Sequence, residues 1–155
     1  MAIPAADPVS SIGELPPGEH LATWAEILTR FGKTPHRRRL LAGLEEAIRI
    51  LRAGGASSLY LDGSFVTGKE SSNDFDACYD IDAATLQRSA RQEPVFLDLM
   101  YPRSAMKARF RGELFPSWFI AAGSIHSPIE YRTFFQQNRY GMPKGVVVID
   151  LGRWP

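Results

Sequence analysis

Apolar positions along the chain follow two different periods, and the changes between them mark out the elements. Leu40, Leu41, Leu44, Ala47, Ile48 and Leu51 recur at helical spacing. They predict a helix that starts at Thr34-Pro35, an N-cap followed by a first-turn proline, and ends at Gly54-Gly55. Upstream, Thr23 and Glu26 have capping-box spacing, so a first helix should run to Phe31 and stop at Gly32. Residues 58–61 read as a buried strand, and 74–79 as a second strand with one polar and one apolar face. Residues 83–91 suit a helix capped by Asp82, Pro94 opens a third short strand, VFLDL, and 103–110 suit a short helix. Residues 115–122 are ambiguous. Ser127 and Glu130 repeat the capping-box spacing before an aromatic-rich segment, predicting a helix to about Arg139 closed by Gly141, and VVVIDL forms a last strand.

Residues 1–18 hold four prolines and two glycines, which reads as an irregular N-terminal arm, leaving 19–155 as a single domain. At 155 residues, 45% apolar and 23% charged, the chain can bury one real core and is neither disordered nor fibrous. No internal repeat is present. The expected fold class is α+β, a small mixed sheet with helices packed on it. A net charge of +1 argues against a nonspecific polyanion binder, although clustered arginines can still make a local basic face. The single Cys78 cannot form an internal disulfide, so a reducing cytoplasm is the expected location. The N-terminus lacks the basic-then-apolar order of a secretory signal, and WFIAA and VVVI are too short to span a bilayer, so no membrane partner is expected.

The stretch LYLDGSFVTGKESSNDFDACY, residues 59–79, carries the chemistry. In an extended segment residues two apart face the same side, so Asp74 and Asp76 project together while Phe75 and Ala77 turn to a core. Paired carboxylates pack poorly but ligate hard divalent cations well. Gly63 to Lys69 also has the Gly-x4-Gly-Lys spacing of a phosphate-binding loop. Glu70 stands where that loop needs a hydroxyl for magnesium, and a strand-like segment follows where a long helix should open.

An apolar strand, Gly63-Ser64, a short helical start and then Asp74-Phe75-Asp76 resemble the nucleotidyltransferase superfamily that includes the palm of DNA polymerase beta and the minimal nucleotidyltransferases. More widely, LPPGEH, TRFG, LDGSFVTGKESSNDFD, FLDLMYPRSAMKARF and FFQQNRYGMPKGVVVIDL resemble a family of small bacterial and phage-borne proteins with that core. The resemblance implies a palm-like fold in which Gly63 and Ser64 approach a triphosphate, while Asp74, Asp76 and a third carboxylate bind two Mg²⁺ ions. Asp98, within VFLDL, is the expected third carboxylate, and Asp150 in VVVIDL is its rival. The implied activity is transfer of a nucleoside monophosphate from an NTP to a hydroxyl on a protein or RNA acceptor, tRNA included. Related minimal enzymes occur in toxin-antitoxin and phage-defence modules, which implies a cognate partner. A catalytically weak nucleotide sensor or antitoxin-like binding module on the same fold is the alternative.

Arg103 and Lys107, four apart on the predicted helix, share a face, and with Lys69 they are candidates to hold the β- and γ-phosphates. The same residues serve equally as ordinary surface charge. His36-Arg37-Arg38-Arg39 reads as a solvated helix start, yet positive charge at a helix N-terminus is unfavourable and hints at an anionic partner. Tyr131, Phe134 and Phe135 have the spacing of core residues rather than of a base-stacking platform. Three scattered histidines offer no zinc site, and Cys78 suits a small buried side chain better than a nucleophile.

Overall fold

The computed structural model describes residues 3–62, 64–68 and 73–154, without the side chain of Ser64. After an arm comes strand β1, Gly18–Leu21, then helices α1, Trp24–Phe31, and α2, Pro35–Ala53. Both helices start as their caps dictate. Thr23 Oγ1 accepts from the Glu26 amide at 3.2 Å while the Thr23 amide donates back to the Glu26 carboxylate at 2.7 Å, and Thr34 accepts from the Arg37 amide at 3.1 Å. Strand β2, Ser58–Asp62, leads through a 3-10 turn at Ser64–Val66 to β3, Phe75–Tyr79. The chain continues through α3, Ala83–Ala90, with Asp82 as its cap, and α4, Ser104–Phe110, to β4, Gly112–Pro116. A hairpin of β5, Ile120–Ser124, and β6, Ser127–Glu130, precedes the single turn α5, Tyr131–Phe134, and the last strand β7, Gly145–Asp150.

Five strands form one mixed sheet in the order β1-β7-β2-β3-β4. β7 to β2 and β2 to β3 are antiparallel, whereas β1 to β7 and β3 to β4 are parallel. A parallel pair needs a long crossover, and α3 with α4 supplies it between β3 and β4. The fold is therefore α+β with a mixed sheet. One face, including Leu59, Leu61, Ala77, Tyr79 and Leu114, joins Leu40, Leu44 and Ile48 of α2 and Met106 and Phe110 of α4 in the main core. The other face carries a smaller cluster of Tyr60, Cys78, Phe115, Phe135 and Val146. Cys78 is thus a fully buried packing residue.

Three expectations are corrected. VFLDL is not a strand: Pro94–Leu97 form a 3-10 turn, because Pro94 presets its first position and the segment has no strand beside it to pair with. The third strand is instead β4, in a stretch whose start lay just outside the ambiguous region. The late helix shrinks to Tyr131–Phe134, since Ser127–Glu130 pair with β5 rather than capping a helix. The N-terminal arm is also part of the domain: Ile3 and Leu15 lie in the main core, and β1 starts at Gly18.

Candidate functional site

Cross-strand register lines up two rows of side chains on the face that carries the smaller cluster. Tyr60 pairs with Cys78, and Cys78 with Phe115, in a buried apolar row. Two residues back along β3 and β4, and two ahead along β2, Asp62 pairs with Asp76, and Asp76 with Glu113. Directly opposed residues share a face, so three carboxylates stand side by side across three adjacent strands. Asp74, the residue before β3, adds a fourth whose charge acts on Asp76, at the end of the sheet where β2 ends and β3 begins. This convergence is the candidate site.

Two of the four acids are matched by bases. Lys144 Nζ lies 2.9 Å from Asp62 Oδ1, with both side chains largely buried, in an ion pair whose angles fall short of a hydrogen bond. Glu113 is held twice, by the Arg103 guanidinium and by Lys107 Nζ at 3.0 Å. Among the described residues no basic group lies within ion-pair distance of Asp74 or Asp76. Burial pushes the Asp76 carboxyl up to about 7, and repulsion from Asp74, Glu113 and Asp62 adds to it, with Lys144 partly opposing. Asp74 is raised for the same reasons, burial first and then Glu113, and Lys107 pulls the other way. The hydrogen bond to Glu113 in turn raises the Lys107 ammonium. The charge balance of the face thus leaves a half-buried carboxylate pair facing each other's field, the arrangement a hard cation relieves. Magnesium is commonly bound by one or two carboxylates completed by waters and substrate phosphates, so Asp74 and Asp76 fit it. Among the described residues no three His, Cys, Asp or Glu side chains are gathered closely enough to hold one ion by themselves.

Asp98 is not part of this row. It ends the 3-10 turn and its carboxylate accepts from the Met106 amide at 3.1 Å, satisfying a backbone donor in the first turn of α4. Asp150 caps the final turn at Gly152 and pairs in register with Ser58, at the opposite end of β2 from Asp62, on the order of 13 Å away. The third and fourth acids are therefore Glu113 and Asp62. Sequence reasoning passed over both: the strand expected at 58–61 stops short of Asp62, and Glu113 sits in GELFP, too short to show a strand period. Gly63 and Lys69 lie outside the described residues, and Ser64 opens the 3-10 turn right after β2. Arg103 and Lys107 do reach the acid face, as the partners of Glu113.

Aromatic side chains flank the row. Phe115 stacks on Tyr131 at 3.8 Å between ring centroids, with the Arg103 guanidinium 5.0 Å from the Phe115 ring. Phe135 is buried and Phe134 is partly exposed, so the aromatic cluster is chiefly packing. A protein-family profile matches residues 8–150. The chain belongs to DUF6932, a family of unknown function. The DUF6932 match contains the whole acid row, together with Arg103, Lys107 and Lys144. No curated protein and no solved structure matches the chain.

Proposed function

We propose that this DUF6932 protein is a Mg²⁺-dependent nucleotidyltransferase with a polymerase-beta-like palm, moving a nucleoside monophosphate from an NTP to a hydroxyl on a protein or RNA acceptor. The observation that carries the reading is the acid row of Asp62, Asp76 and Glu113 beside Asp74, in which only Asp74 and Asp76 lack a base among the described residues. In this reading Asp74 and Asp76 hold the metal. Bound Mg²⁺ supplies charge neutralisation at the triphosphate and a lowered pKa for the attacking hydroxyl. Burial and acidic neighbours raise the Asp76 carboxyl, and a bound cation would favour its ionised, ligating form. Arg103 and Lys107 would exchange Glu113 for phosphate oxygens, and the freed Glu113 carboxylate would add to the negative charge facing the cation beside Asp76. In-line displacement needs positioning and charge more than a covalent intermediate. Among the described residues no helix is long and apolar enough to cross a membrane, and the buried thiol of Cys78 suits a reducing cytoplasm. A toxin-antitoxin or phage-defence partner, with tRNA among the acceptors, belongs to this same proposal.

A second reading, a nucleotide-sensing or antitoxin-like binding module, is favoured by one feature: Glu113 already spends its charge on Arg103 and Lys107. One experiment separates the two. The protein and a host lysate are incubated with each α-labelled NTP and Mg²⁺, and label on RNA or protein is sought. Label that vanishes in Asp74→Asn and Asp76→Asn supports transfer. Saturable NTP binding with no label from any of the four nucleotides removes the enzyme reading.

A further inference from the structure

Flat groups succeed one another at the Glu113 end of the acid row. Phe115 stacks on Tyr131 with ring centroids 3.8 Å apart and planes within 5° of parallel, which fills one face of the Phe115 ring. The Arg103 guanidinium lies over the same ring, 5.0 Å from its centroid. It also lies 5.8 Å from the centroid of Tyr101. Arg103 is thus bracketed by a buried ring on one side and by Tyr101, which is 82% exposed, on the other. The succession ends in an open aromatic face.

The fold accepts local strain to hold this arrangement. Arg103 has φ 54° and ψ 44°, the left-handed region that residues with a Cβ enter at a steric cost and that recurs at binding sites. Its side chain is mostly shielded, and it donates to the Glu113 carboxylate and to the Leu99 carbonyl, the latter at 3.4 Å. Among the described residues the Tyr101 hydroxyl makes no hydrogen bond, so the ring stands in solvent without a polar anchor. A partner suited to this corner is flat at one end and anionic at the other, because the exposed ring adjoins Arg103 and Lys107, which in the reading above turn from Glu113 to phosphate oxygens. Every nucleobase offers a π-face to an aromatic side chain. One further ring-to-ring step of about 4.5 Å places a base no more than roughly 10 Å from the Arg103 guanidinium, a gap that the sugar of a nucleotide fills.

We propose that Tyr101 is the nucleobase-stacking residue of this site, holding the base of the NTP whose phosphates meet Arg103 and Lys107. The assignment rests on the phosphate role given to those two cations and not on transfer taking place. The full chain with Mg²⁺ is titrated by calorimetry with each of the four NTPs and with inorganic triphosphate. At least one NTP is expected to bind about tenfold or more tightly than triphosphate. Tyr101→Ala should weaken that NTP by about tenfold and leave triphosphate within about twofold, at unchanged thermal midpoint, whereas Tyr101→Phe should bind like wild type. Wild-type NTP binding by Tyr101→Ala, an equal loss for NTP and triphosphate, or no saturable NTP binding up to about 10 mM overturns the proposal. A loss seen only with a short single-stranded RNA overturns it too, and gives the ring to an acceptor base instead. The outcome is separable from the enzyme reading: a selective NTP loss in Tyr101→Ala without label transfer by wild type keeps the stacking site and removes the enzyme, and transfer with NTP binding unmoved in Tyr101→Ala does the reverse.

Discussion

Asp76 ionises against its surroundings, and that makes it the most informative single residue. Folded, it keeps its proton up to about pH 7, whereas unfolded it releases it near 3.8. Between those values the folded state binds more protons than the unfolded one, so stability falls as pH rises through the window. The slope is at most about 1.4 kcal/mol per pH unit, and partial solvation of the site trims it. Asp76→Asn removes the charge while keeping the shape. It is expected to raise the thermal midpoint by several degrees at pH 8, with the gain over wild type shrinking towards pH 4, as a series of melts across pH will record. A gain that stays constant with pH would place the effect elsewhere than in the ionisation of this carboxyl. Mg²⁺ should stabilise wild type at pH 8 and have little effect on the variant.

Among the elements, the crossing of α2 over α4 is the most tightly specified. A Cβ on Gly43 would fall 1.9 Å from the Phe110 carbonyl oxygen, a backbone atom that cannot rotate away. Gly43→Ala improves helix propensity by roughly 1 kcal/mol in isolation, but here it must push the two helices apart. The expected net result is a loss of about 2 kcal/mol or more, read as a lower urea midpoint at similar slope. The elements that could be read in advance share one physical reason: their signals are local. Capping at Thr23, Thr34 and Asp82 and the spacing of Leu40, Leu44 and Ile48 lie within a turn or two of the helices they define. The elements that were misread depend on partners far away. β4 forms because Gly112–Pro116 can lie beside β3, and Ser127–Glu130 become a strand because β5 folds back onto them. A capping-box spacing at Ser127 and Glu130 could not outweigh that pairing.

For the molecule as a whole, the arm is tied to the core, to the turn at Gly68 and to the last strand. Ile3 and Leu15 are buried in the main cluster, the Ile12 carbonyl holds Gly68, and Leu15 accepts from Gly145 at the start of β7. Removing residues 1–13 strips Ile3 from the core and releases the turn at Gly68. The truncated chain is expected to melt lower by several degrees than the full chain, measured by calorimetry on both. Unchanged melting would show that the arm's contacts contribute no net stability.

The strand that carries Asp76 between the buried Phe75 and Ala77 was legible before any fold was known, because alternation along a strand is a property of the backbone itself. So were the two long-signal helices and the strand at Gly145–Asp150. The membership of the acid row was not. Asp62 and Glu113 come 12 residues before Asp74 and 37 after Asp76, and only the register of β2, β3 and β4 places them side by side. Asp98, on a segment that looked equally like a strand, turned away to serve the α4 backbone. Periodicity says which way a side chain faces along its own segment, whereas pairing between segments distant in sequence decides what it meets there.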